Sequence, residues 1–424
     1  MSMKYKTLYL ERGGTRLAYQ VFGPHSQDLV FVPGILSHIE YIHEMPGYSE
    51  FIDKLSKYFR VIIFDKRGNG LSKRSIKAPT LEERMDDIRF VMDEVSSKKA
   101  ILFGYSEGAL ISTLFASMNP DRVEKIILFG GLAVAPGREK KSWIPKFIKK
   151  VLKLREINSW VKNWGNGRFM ELTLPSKKLI DSQFKEKLAK FESLSNTPEG
   201  IKNLIFLNGR MDVRPFLKSV SCPTLILHSR NDNLIPFESS LPFVEKIKNS
   251  KLVELEKAGH SFYLDESDLI LEHIVSFSRE NKLEKLHTVL AAVMSIETND
   301  LIKIKKQVEF FKGTLFKVAE NQVIVTFDGP SRAIQCALKI KEISHFRVGL
   351  HIGEIKKGDR EITGQGVDAV LKVQEMASLN QILVTDLLRS LVYGLEIKFQ
   401  EAPIQNLNKD IRKLYSVLEP NSKA

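Results

Sequence analysis

Short apolar runs separated by amphipathic stretches dominate the first third of the chain. Asp28–Pro33 (DLVFVP), Arg60–Asp65 (RVIIFD), Ala100–Gly104 (AILFG) and Lys125–Gly130 (KIILFG) are continuous rather than alternating. That pattern predicts a parallel sheet buried on both faces. Arg16–Gly23 follows a Gly13-Gly14 turn and reads as the end of an opening hairpin. Between the second and third runs, Leu81, Met85, Ile88, Met92 and Val95 recur at helical spacing. Thr80 and Glu83 form a capping box at the start of that helix. From 136 to 215 the rhythm lapses, lysines alternate with aromatics, and a mainly helical insertion is expected. After Pro223 it returns, with strand Thr224–His228, helix Glu238–Lys248 and strand Lys251–Glu256.

The charged stretch Ser278–Lys285 reads as a linker. Beyond it come strand Val289–Ile296, helix Asp300–Phe311, strands Leu315–Val318 and Val323–Phe327, helix Ser331–Ile343 and strand Phe346–Ile352. That order suggests an α+β unit of ferredoxin-like type. The expected organisation is an α/β domain over residues 1–280, interrupted by the insertion at 136–215, and a second domain over 281–424.

Composition changes this picture little. The chain has 424 residues, more than one core usually serves, with 43% hydrophobic and 27% charged residues. No apolar run is long enough to span a membrane, and Met1–Leu10 has no secretory h-region, so a cytoplasmic protein is expected. Cys222 and Cys336, the only cysteines, sit in apolar surroundings and read as small core residues. The net charge of +13 is concentrated, with 15 Lys/Arg against 5 Asp/Glu between Arg138 and Lys190. No nucleic-acid motif accompanies it. Trp143–Trp164 has the pattern of a basic amphipathic helix. It reads first as a cap helix over a pocket; the sharper alternative is contact with an anionic membrane surface or a lipid-like substrate.

Phe103–Gly108 reads F-G-Y-S-E-G, which places G-x-S-x-G after an apolar strand and before a helix-like segment. Ser106 is thereby a candidate nucleophile on a tight strand-to-helix turn. A serine hydroxyl is a weak nucleophile and needs a base that is itself oriented by a carboxylate. Asp232, in H-S-R-N-D-N-L-I-P, and His260, in A-G-H-S-F, each follow a predicted strand. The order Ser, Asp, His matches that requirement, with 126 and 28 residues between them. A turn-forming role for Asp232, with Asn231 beside it, is the competing reading, and Asp65 reads as structural. His38 and His43 read as pocket lining or surface. No paired ligand spacing suggests a metal, and no cofactor is expected.

These motifs resemble the α/β-hydrolase superfamily over roughly residues 5–280. Phe64–Ser72 (F-D-K-R-G-N-G-L-S) resembles the family's D-x-R-G-x-G-x-S segment. Phe31–Ile35 (F-V-P-G-I) stands where the family usually has H-G-x, with Pro33 in place of the common His. The resemblance implies a helical cap over the site, and an oxyanion hole built from the Ile35 and Glu107 amides. It implies hydrolysis of a small-molecule ester, thioester or related acyl substrate, lipid-like ones included. Serine at 106 disfavours epoxide and halide chemistries, which use aspartate there.

Lys317–Ala333 (K-V-A-E-N-Q-V-I-V-T-F-D-G-P-S-R-A) and Val348–Glu354 (V-G-L-H-I-G-E) resemble class III adenylate/guanylate cyclase domains over roughly residues 286–418. By that resemblance Glu297 and Asn321 occupy the metal positions, Lys372 the transition-state arginine, Lys317 the purine-reading lysine, and Asp368 a position usually Asn. A neutral Asn321 and a Lys372 that cannot form a bidentate fork imply an inactive or very weak cyclase, serving in dimerisation or ligand sensing. The resemblance implies a homodimer through this domain. A cyclase with an accessory hydrolase-like domain and a non-catalytic small-ligand receptor are the competing readings.

Overall fold

The computed structural model describes residues 5–75, 77–134, 158–159, 161–174, 181–209, 211–280, 288–298, 301–319, 321–343, 346–357, 362–392, 395–403 and 411–418. Two compact units emerge, one of Met1–Pro79, Arg84–Ala116 and Pro120–Glu284, the other of Thr80–Glu83, Ser117–Asn119 and Lys285–Ala424.

The apolar runs of the first unit become one sheet. Its strands are β1 (Leu8–Arg12), β2 (Thr15–Phe22), β3 (Asp28–Val32), β4 (Arg60–Phe64), β5 (Ala100–Tyr105), β6 (Val123–Phe129), β7 (Thr224–Ser229) and β8 (Ser250–Leu255). They lie in the order β1-β2-β4-β3-β5-β6-β7-β8. The opening hairpin is antiparallel, and every pairing from β4 to β8 is parallel. β3, β5 and β7 are buried at every described position or all but one, as continuous apolar runs in a covered sheet require. The capping box forms at helix Leu81–Glu94: Glu83 N–H donates to Thr80 Oγ1 at 3.2 Å and Thr80 N–H to Glu83 Oε2 at 2.7 Å.

The expected helix Glu238–Lys248 is shorter. A 3-10 turn, Phe237–Ser240, precedes helix Leu241–Lys246, because Pro242 lacks an amide hydrogen and is tolerated only in a first turn. The linker also starts later than the charge pattern suggests. Ser278 and Arg279 complete helix Ser267–Arg279, and residues 281–287 lie outside the described set. The reason is Lys125. Buried within β6, its Nζ donates to the carbonyls of Phe277, Ser278 and Glu280 at 2.7, 2.8 and 2.6 Å. A cation there meets both the free carbonyls and the negative end of the helix. Lys125→Met leaves those carbonyls unsatisfied and is expected to cost about 2–3 kcal/mol in urea unfolding.

The insertion is stitched at its base, where Val134 bridges Asp212 and Val213 N–H donates to Ala133 O at 2.9 Å. Its described helices include Arg168–Glu171, Ser182–Ser195 and Pro198–Asn208. The basic pattern Trp143–Trp164 lies outside the described residues up to 157 and at 160. Beneath the site, the Phe262 ring meets those of Phe31, Phe51, Phe103, Tyr105 and Phe129 at centroid distances of 5.1–5.8 Å.

The second unit holds β9 (Thr288–Glu297), β10 (Thr314–Lys317), β11 (Gln322–Phe327), β12 (Val348–Lys357), β13 (Ile362–Thr363), β14 (Ile382–Thr385), β15 (Lys398–Glu401) and β16 (Leu414–Leu418). Its sheet runs β10-β11-β9-β12-β14-β16-β15, with β13 pairing on β12. Helix Leu301–Phe310 joins β9 to β10, and Pro330–Ile343 joins β11 to β12.

Candidate active site

Ser106 stands at the turn from β5 into helix Glu107–Met118 with φ +54°, a left-handed conformation that costs a side chain energy. The turn is fixed by Ser106 N–H donating to Phe129 O at 2.9 Å and Ala109 N–H to Ser106 O at 3.1 Å. A Cβ on Gly104 would lie 2.7 Å from Ala109 Cα, and one on Gly108 only 2.1 Å from Val32 O. The two glycines of G-x-S-x-G are therefore needed for the strand and helix to approach.

Asp232 lies in the turn after β7. Its Oδ1 accepts the Leu234 and Ile235 amides at 2.9 and 2.8 Å, which leaves Oδ2 facing His260 Nδ1 at 2.6 Å. Asp232 is thus both the turn former and the histidine's partner. Asn231 ties the loop separately, donating to Glu256 O at 2.5 Å. With an acceptor at Nδ1, the His260 hydrogen sits there and Nε2 is left as the acceptor. That nitrogen is buried and has no hydrogen-bond partner among the described residues. Burial alone would raise the Asp232 carboxyl, but His260 and His228 outweigh it and hold it well below the usual carboxylate range.

Ser106 and His260 line one cavity, walled mainly by hydrocarbon from Ile39, Ile42, Phe64, Phe169, Met170 and Phe191. The last three come from the insertion. Glu192 holds that wall, its carboxylate accepting the Gly165, Gly167 and Met170 amides at 3.1, 3.0 and 2.9 Å. The same segment touches the histidine loop, where His260 N–H donates to Thr173 O and Ser261 Oγ–H to Thr173 Oγ1, both at 3.1 Å.

Ile35 borders the cavity, and neither its amide nor that of Glu107 donates to an acceptor among the described residues. The Glu107 side chain turns elsewhere. Its carboxylate meets Lys66 Nζ at 2.7 Å and accepts from Arg84, which also donates to Asn208 Oδ1 at 3.0 Å. Burial pushes the Glu107 carboxyl up, but the two cations outweigh it and hold it at about 2. Asp65 is a scaffold residue: fully buried, it accepts the Ile39 amide at 3.1 Å and the Leu71 amide at 2.9 Å, and burial pushes it up to about 6. His38 lines the cavity, whereas His43 bonds Ser49 and Gln20 and stacks on Tyr5. Thr173, Glu192 and Arg84 lie in no motif, and His228 and Lys66 stand in quoted segments at positions to which those segments assign no role. Among the described residues no group of three His, Cys, Asp or Glu is placed to hold a metal.

In the second unit, Glu297 at the end of β9 and Asn321 just before β11 are exposed neighbours, with Asn321 Nδ2 donating to Glu297 Oε1 at 3.3 Å. Asp368 and Lys372 are exposed one turn apart on helix Gln365–Glu375.

Residues 29–267 match a family model described as alpha/beta hydrolase fold. The chain is 28% identical over 261 residues to the AB hydrolase superfamily protein YisY of Bacillus subtilis (strain 168), spanning 60% of this chain and 92% of that one. It is 26% identical to the pimeloyl-[acyl-carrier protein] methyl ester esterase of Wigglesworthia glossinidia brevipalpis, over 62% of this chain and 97% of the relative. Among solved structures, the esterase EaEST from Exiguobacterium antarcticum superposes with TM-score 0.53 at 20% identity, over 65% of this chain and all (100%) of that one. At that identity the likeness is one of fold.

Proposed function

From the premise that this chain belongs to the alpha/beta hydrolase fold family and is a hydrolase, we propose that it cleaves esters, thioesters or related acyl compounds through Ser106, His260 and Asp232. The observation carrying this reading is the 2.6 Å Asp232–His260 contact, which leaves an unpartnered Nε2 in the cavity that Ser106 enters. In the proposed reaction Ser106 Oγ attacks the acyl carbon and its proton passes to His260 Nε2. The Ile35 and Glu107 amides hold the developing oxyanion. His260 then protonates the leaving alcohol or thiol. A water attacks the acyl-serine, its proton passes through His260 to Ser106, and the carboxylic acid departs. Asp232 keeps the hydrogen on Nδ1 and stabilises the imidazolium. The esterase name of one relative and the apolar cavity both support an acyl substrate, lipid-like ones included. The test is a series of p-nitrophenyl esters of increasing chain length. Saturable turnover with a chain-length optimum is expected; no turnover of any member by folded protein contradicts the reading.

The second unit is proposed as a cyclase-like regulatory or dimerisation module without cyclase activity. The β-α-β-β-α-β order of β9 to β12, with antiparallel sheet order β10-β11-β9-β12, supports that resemblance. The residues present do not fit a two-cation site, because the Asn321 amide is neutral and turns a donor, not an anion, toward Glu297.

A further inference from the structure

Several polar groups of the cavity have no part in the acyl-transfer chemistry, and His38 supplies the ring nitrogen among them. His38 follows the loop that carries Ile35 and is only 8% exposed, against the cavity. Its position is fixed three times over. Its carbonyl accepts the Ile42 amide at 3.0 Å, the next residue's amide is held by Asp65, and its ring Nδ1 accepts the Tyr41 amide at 3.1 Å. A backbone N–H is always a donor, so Nδ1 carries no hydrogen and the neutral ring bears it on Nε2. Burial in the apolar wall favours that neutral form. Nε2 has no partner among the described residues, yet it is not sealed off from the cavity. The Tyr48 and Tyr105 hydroxyls also border this space, but they rotate, whereas the His38 N–H has one direction. A fixed donor in a dry wall disfavours hydrocarbon beside it and rewards an acceptor.

We propose that His38 is a specificity-determining residue whose Nε2–H binds a second oxygen acceptor of the substrate, so that the preferred class is oxo-substituted acyl compounds rather than plain alkyl ones. The proposal rests on the serine-hydrolase reading of this cavity and names its substrate class. A neutral N–H suits a keto or amide oxygen; no Lys or Arg is among the cavity-lining residues, and the Arg74 charge reaches His38 from outside that wall.

The experiment compares p-nitrophenyl hexanoate with its 3-oxo, 4-oxo and 5-oxo analogues. At least one oxo ester is expected to exceed the alkyl ester about tenfold in kcat/KM, the worth of one hydrogen bond in a dry site. In His38→Leu that ratio is expected to fall to near one, and in His38→Gln, which restores a donor, to recover in part. A merely structural role would lower both esters together and leave the ratio unchanged. No oxo preference in the unaltered protein, or a preference surviving in His38→Leu, overturns the proposal. Should His38→Leu fail to fold, His38→Ala takes its place, with the same expected loss and the same overturning result. Binding of the matching oxo and alkyl acids to the Ser106→Ala protein gives the same ratio without turnover. Failure of the serine chemistry is thereby distinguished from failure of the His38 role.

Discussion

Asp232→Asn is expected to lower kcat on an activated ester by about 10⁴-fold while the protein stays folded. The size follows from how the side chain is held. The Leu234 and Ile235 amides bind Oδ1, so an asparagine keeps its oxygen there and turns its NH₂ toward His260. Nδ1 of His260 must then accept, which moves the ring hydrogen to Nε2. A protonated Nε2 cannot take the Ser106 proton, so the wrong tautomer is locked in although every heavy atom keeps its place. KM is expected to change little, because Asp232 is absent from the cavity wall. Steady-state kinetics with a circular-dichroism control checks this; a loss below tenfold would show that Asp232 is only a turn former.

Glu107→Ala is expected to be the most damaging single change to stability. It removes the carboxylate paired with both Lys66 and Arg84, which are buried, and leaves only the more indirect field of Asp87 on Lys66 among the described residues. Breaking such a buried cluster costs about 3–5 kcal/mol, so Tm should fall by on the order of 10 °C. The acid limb of the stability curve should change too. The Glu107 carboxyl is held at about 2 in the folded chain, below its ordinary 4.5. A depressed carboxyl contributes stability fully above about pH 4.5 and loses it as the pH falls toward 2. That contribution is worth about 3 kcal/mol at neutral pH. Urea unfolding between pH 5 and pH 3 should therefore be less pH-dependent in Glu107→Ala. An unchanged slope would mean that the cluster carries no such linkage.

The elements that sequence reveals here are those whose causes are local. The strand-to-helix turn at Ser106 needs glycines two residues to either side, and they are written as G-x-S-x-G. Asp232 follows the apolar run of β7 and His260 the edge strand β8, so their shared rim follows from parallel topology. The Glu107 cluster is different. Its members are 41, 23 and 124 residues apart along the chain in their pairings, and none sits in a pattern that fixes its neighbour. The Thr173 contact with the histidine loop depends on how the insertion folds back, which no periodicity states. Lys125 misleads in a simple way: a lysine at the start of an apolar run reads as a strand boundary, while a helix end far along the chain makes it a buried residue. Pro242 lies inside the expected helix Glu238–Lys248, and only its tolerance for a first turn explains the shorter helix that follows a 3-10 turn.

If Ser106 is a nucleophile activated by His260, an alkyl fluorophosphonate will phosphonylate it. The most direct measurement is intact-mass spectrometry after exposure to an alkyl fluorophosphonate, followed by peptide mapping. One phosphonyl adduct per chain is expected, located on the peptide containing Gly104–Gly108 and missing from Ser106→Ala. Folded protein that takes up no adduct, or an adduct that persists in Ser106→Ala, would contradict that role of Ser106.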